Sequence, residues 1–138
     1  MARVLIVDDE PDILLMLRVN LESDGHETAL AADGETALQR VAEERFDLML
    51  LDVMMPVMDG WGVLDNLPRF DNAPRRVIVV SAKSSDRDVA RALDAGAVDY
   101  ISKPFSPRDL STLVEQVLAL PDDALDAHRE ARLIRPPR

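Results

Sequence analysis

The chain has 138 residues, no cysteine, 47% apolar and 30% charged residues, and a formal net charge of −10. That length suits one domain able to bury a core without staples. The absence of thiols excludes disulfides and thiolate catalysis, and the negative charge opposes direct contact with nucleic-acid phosphates. No stretch approaches the roughly 18 apolar residues of a spanning helix, and the N-terminal apolar run meets acids too soon for a secretory signal. A cytoplasmic protein with no membrane contact is expected.

Apolar runs alternate with helical patterns along the chain. A strand is expected at Arg3–Val7, then a helix from Pro11 to Ser23, with proline in its first turn and Gly25 past its end. Ile13, Leu14, Leu17 and Leu21 share one face of it. His26–Ala31 reads as a weaker strand at a sheet edge. Asp33 can cap a helix to about Glu44, and Asp47–Leu51 reads as a third strand. Residues 52–60 form a loop holding Pro56 and the turn pair Asp59-Gly60, and a short helix covers Trp61–Leu67. A fourth strand is expected at Arg76–Val80. Ser84 or Ser85 can cap a helix to about Ala95, stopped by Gly96. Ala97–Ser102 reads as a fifth strand, and Ser106-Pro107 opens a last helix carrying Leu110, Leu113, Val114, Val117 and Leu118.

Five strands alternating with five helices imply an α/β three-layer sandwich around a doubly wound parallel sheet. The division is a domain over 1–120 and a linker or tail helix over 121–138. In that tail Pro121 with Asp122 and Asp123 looks like a helix start, and Pro136-Pro137 like its end. Four arginines (129, 132, 135, 138) sit there in an otherwise acidic chain. Positions 110 to 134 also show three-four spacing, as in a heptad seam, but Pro121 opposes a continuous helix. A linker helix, or the stub of an output domain, fits the tail at least as well.

The chemistry lies at the strand ends. Runs of four apolar residues, as at Val4–Val7, Leu48–Leu51 and Val77–Val80, suit strands buried on both faces of a parallel sheet. In such a sheet the site forms beyond the carboxyl ends. Asp8 and Asp9, Asp52, Ser81 and Lys103 are thereby sent to one edge. Acids opening a helix suit its dipole, which accounts for Glu10 and Asp12. It does not account for Asp52, which ends a different strand. Converging carboxylates repel one another, and a divalent cation such as Mg²⁺ resolves the repulsion with oxygen ligands. Asp52 is then the candidate nucleophile, able to accept a phosphoryl group as an acyl phosphate. Lys103 supplies a second cation; only one other lysine, Lys83, stands among the sixteen basic residues. Ser81 can donate to a phosphoryl oxygen, and Ala82 beside it leaves room. Met54, Met55 and Met58 read as loop packing.

The ordered set Val4-Leu5-Ile6-Val7-Asp8-Asp9-Glu10, Leu51-Asp52 through Asp59-Gly60, Val80-Ser81-Ala82 and Tyr100-Ile101-Ser102-Lys103-Pro104-Phe105 resembles the receiver domain of bacterial two-component response regulators. The resemblance covers residues 3 to about 120. It implies a flavodoxin-like sheet of order 2-1-3-4-5 and Asp52 as phosphoacceptor. It implies Mg²⁺, or Mn²⁺, held near Asp8 and Asp9, with Asp9, Asp52 and the Met54 backbone carbonyl as direct ligands. Lys103 matches the phosphate-binding lysine, and its bond to Pro104 matches one that is often cis. Ser81 matches the switch hydroxyl and Tyr100 the switch aromatic; the pattern around Tyr100 alone gives only a half-buried strand residue. The implied partners are a histidine kinase or histidine phosphotransfer protein, an output partner the sequence does not name, and a second copy of the chain on phosphorylation. The implied role is a signalling switch in a phosphorelay, catalysing only its own phosphorylation and dephosphorylation. The rivals are a receiver-shaped scaffold that is never phosphorylated, a flavodoxin-like cofactor protein, and an aspartate-nucleophile phosphatase. The phosphatase would want a second aspartate where Met54 stands, and Asp8-Asp9-Glu10 would repel a flavin phosphate.

Overall fold

A computed structural model describes residues 1–83 and 85–134. Ser84 as the alternative cap, the side chain of Ile134, and Pro136-Pro137 with Arg135 and Arg138 lie outside the described residues. Five strands, β1 (Arg3–Val7), β2 (Glu27–Ala31), β3 (Leu48–Leu51), β4 (Val77–Ser81) and β5 (Asp99–Ser102), pair in parallel in the order β2-β1-β3-β4-β5. The helices are α1 (Pro11–Ser23), α2 (Gly34–Glu43), α3 (Gly60–Asn66), α4 (Asp86–Asp94), α5 (Pro107–Ala119) and α6 (Leu125–Ile134). The flavodoxin-like arrangement is as expected, with His26–Ala31 shortened to an edge strand that starts at Glu27.

The central strands are dry on both faces. Val4, Leu5, Ile6, Leu48, Met49, Leu51, Ile78 and Val79 are fully buried. One layer of the core packs the sheet against α2, α3 and α4 through residues such as Ala37, Val41, Val63, Leu64, Val89 and Leu93. The other packs it against α1 and α5 through Leu14, Leu17, Leu21, Leu110, Val114 and Val117. Each such aliphatic side chain contributes roughly 1.5–3 kcal/mol on burial. Register is fixed by these two faces: β1 pairs Val4 with Leu48 on one side and with Thr28 on the other.

The capping residues do what their chemistry predicts. Asp33, Ser85 and Ser106 each accept the amide of the third residue on, from Thr36, Asp88 and Asp109. Asp59 does the same for Gly62, so the Asp59-Gly60 turn is also the start of α3. Gly25 and Gly96 end α1 and α4 at positive φ (92° and 114°), a conformation only glycine adopts without strain.

After α5 the chain makes a 3₁₀ turn at Asp122–Ala124 before α6. Positions 110 to 134 therefore form no continuous seam; the break at Leu120-Pro121 is the one proline imposes. α6 packs back against α4, and Leu125 is buried with the α1/α5 layer.

The loop between β3 and α3 is held by close backbone approach. A Cβ on Gly60 would stand 2.5 Å from both the Asp52 carbonyl oxygen and Val53 Cα. Gly60→Ala therefore forces the loop away from Asp52. The expected cost is about 2 kcal/mol, within the usual range for overpacking, read as a lower urea midpoint at unchanged m-value.

Candidate functional site

The carboxyl ends of β1 and β3 each deliver an aspartate, and the chain just beyond β5 delivers a lysine. Asp8 follows β1, and its amide continues the sheet by donating to the Ala31 carbonyl. Asp52 follows β3, with its amide on the Val7 carbonyl. Lys103 follows β5, with its amide on the Ser81 carbonyl. Sheet hydrogen bonding thus sets where all three side chains begin.

Asp8 and Asp52 are 1% and 4% exposed. Lys103 Nζ lies between them, 2.7 Å from Asp8 Oδ2 and 3.2 Å from Asp52 Oδ2. The second oxygen of each carboxylate is also engaged. The Glu10 amide donates to Asp8 Oδ1 at 2.9 Å, and the Met54 amide to Asp52 Oδ1 at 3.0 Å. Asp8, Asp9, Glu10 and Asp52 bring one carboxylate oxygen apiece within 4.8 Å of one another. Three of these acids, Asp8, Glu10 and Asp52, lie within 4 Å of the one ammonium. A hard oxygen donor set with excess negative charge fits a divalent cation of the Mg²⁺ or Mn²⁺ type.

Of the sequence-predicted residues, Asp8, Asp9, Asp52 and Lys103 converge. Ser81 is fully buried at the end of β4, and its Oγ accepts the Lys83 amide at 3.1 Å. Met54 meets the cluster through its amide. Asp9, Met54, Asp59, Trp61 and Lys83 line one depression of about 380 Å³ beside it. Tyr100 is not half-buried but 1% exposed. Its ring belongs to the same core layer as Val89 and Leu93 of α4, which packs against β5. Lys103–Pro104 is cis. Of the three methionines, Met55 and Met58 pack against the core, while Met54 is 53% exposed. The helix dipole alone accounts for Glu10 in the sequence, yet its carboxylate reaches to 3.7 Å from Lys103 Nζ. The signal for that is its place directly after two clustered acids.

Burial pushes the Asp52 carboxyl above its ordinary pKa; the Met54 amide and the Lys103 charge pull it back only in part, and the Asp8 charge adds to the rise. Burial works against the Lys103 ammonium, but its hydrogen bond to Asp8 and the charges of Asp52 and Asp8 outweigh that and raise its pKa. Burial likewise pushes the Tyr100 hydroxyl up to about 12, with Asp88 and Asp52 adding to it and nearby Ser81 opposing it. Among the described residues the buried Tyr100 oxygen has no partner within hydrogen-bond geometry.

The sequence matches the response regulator receiver domain family over residues 4–115. The chain belongs to that family. Among similar proteins, the receiver is 40% identical over 116 residues to the alkaline phosphatase synthesis transcriptional regulatory protein PhoP of Bacillus subtilis, covering 84% of the chain and 48% of the relative. It is 46% identical over 105 residues to the transcriptional regulatory protein KdpE of Mycobacterium tuberculosis, covering 76% of the chain and 46% of that relative. The chain thus spans about half the length of the curated relatives it matches. Among solved structures it resembles the receiver domain of Francisella response regulator 1452, with a TM-score of 0.80 at 32% identity, covering 86% of this chain and 97% of that one. It also resembles a beryllofluoride-activated DrrB receiver domain, with a TM-score of 0.78 at 30% identity, covering 87% and 99%. Among the described residues, no helix is long and apolar enough to cross a membrane.

A buried acid with a raised pKa holds its proton more tightly folded than unfolded. Stability is thus lost as pH rises from the unfolded carboxylate value through the folded one. Asp52→Asn removes that loss. In metal-free buffer the variant is expected to melt higher than the wild type near pH 7. The difference should shrink as pH falls toward 4 and disappear below it, which thermal unfolding across that range will show.

Proposed function

We propose that this receiver accepts a phosphoryl group on Asp52 and switches partner binding in response. The observation that carries the reading is the Lys103 ammonium seated between two buried carboxylates of different strands, with two more acids alongside. A purely structural ion pair needs one acid, not four. Repulsion on this scale is tolerated at sites whose ligands bring positive charge and phosphate oxygens together.

Asp52 is the nucleophile in this reading. One of its oxygens attacks the phosphorus of a phosphohistidine in line with the departing imidazole nitrogen. The phosphoryl donor is a histidine kinase or a histidine phosphotransfer protein. The Met54 amide holds the attacking carboxylate in orientation through Oδ1, leaving Oδ2 on the Lys103 side. As the phosphoryl group arrives, Lys103 exchanges Asp52 for a phosphoryl oxygen while keeping Asp8. Asp8, Asp9, Asp52 and the Met54 carbonyl are the candidate ligands of Mg²⁺ or Mn²⁺, which when bound neutralises charge on the transferring phosphoryl group. Ser81 donates its hydroxyl to the phosphoryl group, giving up the Lys83 amide. Tyr100 then fixes the face formed by α4, β5 and α5, where an output partner or a second copy binds. Residues 1–120 act as the receiver unit, and the cycle makes the protein a signalling switch rather than an enzyme acting on an external substrate.

Incubation with acetyl phosphate and Mg²⁺ should add one phosphoryl mass to the wild type. Asp52→Asn should add none, and omission of Mg²⁺ should abolish the adduct. Lys103→Met should slow its formation by roughly 10²-fold or more, the scale for losing one charged transition-state contact. A Mg²⁺-dependent adduct that persists in Asp52→Asn would reject Asp52 as the acceptor.

A further inference from the structure

The segment after α5 is bound to the sheet more firmly than a linker requires, and the phosphoryl chemistry leaves it without a role. Three grips hold it. Arg76, just before β4, donates through Nε to the Val117 carbonyl at 3.2 Å and through Nη2 to the Leu120 carbonyl at 2.6 Å. The same guanidinium pairs with Asp122 at 2.9 Å, so it closes the end of α5 and bends the chain back. Leu125 is 6% exposed within the core. The third grip is Asp99, the first residue of β5, whose carboxylate is 2% exposed.

Asp99 is satisfied mainly from α6. Its Oδ2 lies 2.8 Å from His128 Nε2, and its Oδ1 accepts from Arg132 Nε at 3.0 Å and from the Tyr100 amide at 2.7 Å. A buried carboxylate left with one amide would be strongly unfavourable. In the docked arrangement both side-chain partners of the buried Asp99 carboxylate, His128 and Arg132, come from α6. The next residue is Tyr100, and beyond the end of β5 stands Lys103. One four-residue strand thus has the α6 clamp at one end and the phosphoacceptor cluster at the other. α4 completes the link. It packs against α6 and β5, its Val89 and Leu93 share one core layer with Tyr100, and its Asp88 charge acts on the Tyr100 hydroxyl.

We propose that α6 is a built-in ligand of the α4–β5 side, and that its docking and phosphorylation of Asp52 favour each other through Tyr100. This rests on the phosphoacceptor reading above. Docked α6 holds the Asp99 carboxylate that also takes the Tyr100 backbone amide, and it packs on α4, whose layer of the core contains the Tyr100 ring, so the buried ring and the docked helix support each other through strand and helix alike. The coupling is reciprocal: α6 must raise affinity for a phosphoryl group as much as a phosphoryl group tightens α6.

The test uses the full chain, with beryllofluoride and Mg²⁺ as the phosphoryl mimic. Amide hydrogen exchange over residues 125–134 is measured with and without the mimic, and its affinity is followed by fluorine NMR. Exchange of α6 should slow several-fold on binding. Arg132→Gln and Asp99→Asn should each weaken binding at least about fivefold; the asparagine retains an acceptor for the Tyr100 amide. The double variant should be no weaker than Asp99→Asn alone, because that change already removes the charge Arg132 meets. Normal binding with unchanged α6 exchange, or unchanged affinity in both single variants, would overturn this inference alone. Failure of the wild type to bind the mimic would overturn the phosphoacceptor reading along with it.

Discussion

The structure turns on an unbalanced charge. Lys103 is the ammonium shared by Asp8 and Asp52, with Glu10 and Asp9 close by. Unit charges about 4 Å apart interact by roughly 4 kcal/mol near a protein surface, so a cluster of four acids with one lysine among three of them is an energetic constraint. The lysine is 13% exposed and the two principal acids are 2% and 6% exposed at their side chains, which limits rescue by water. The raised Asp52 carboxyl expresses the residual frustration. Such a cluster is not the least costly way to finish a sheet. Its excess negative charge leaves room for a further positive charge beside Lys103.

Everything else in the fold serves to hold that cluster against its own repulsion. β1 and β3 are adjacent in the sheet, which puts Asp8 and Asp52 side by side; β4 separates β3 from β5, so Lys103 must reach back across Ser81. Two apolar layers bury the strands on both faces, so their ends cannot slide to relieve the crowding. Gly60 lets α3 begin against the Asp52 backbone itself. Stability gained in the core is in effect spent at the strand ends, a common relation between a rigid scaffold and a strained functional site.

The strands and the site were legible because both follow local rules. Runs such as Leu48–Leu51 announce a doubly buried strand, and the residue ending each run is where a parallel sheet puts its chemistry. Asp33, Ser85 and Ser106 announced their helices by side-chain chemistry alone. What escaped involves partners distant in sequence. Nothing around Asp99 signals that His128 and Arg132 will satisfy it, because those residues arrive only after Arg76 has turned the chain at Leu120. The strand containing Tyr100 looks half polar because of Asp99 and Ser102, yet α4 covers it, so the ring is buried. The sequence pattern places His26 in the second strand. Instead its imidazole accepts the Ala2 amide and meets Glu115, and the strand begins one residue later.

The claim beneath this account is that the strand-end carboxylates form a divalent-cation site and not a self-sufficient ion pair. The most direct measurement is thermal unfolding of the wild type and of Asp9→Asn across a Mg²⁺ titration at constant ionic strength. A native-state site predicts a midpoint that climbs with Mg²⁺ by mass action, about 2.7 kcal/mol of added stability at one hundred times the dissociation constant. The climb should be largely lost in Asp9→Asn. A wild-type midpoint indifferent to Mg²⁺ would contradict the account and leave Lys103 as a structural counter-ion.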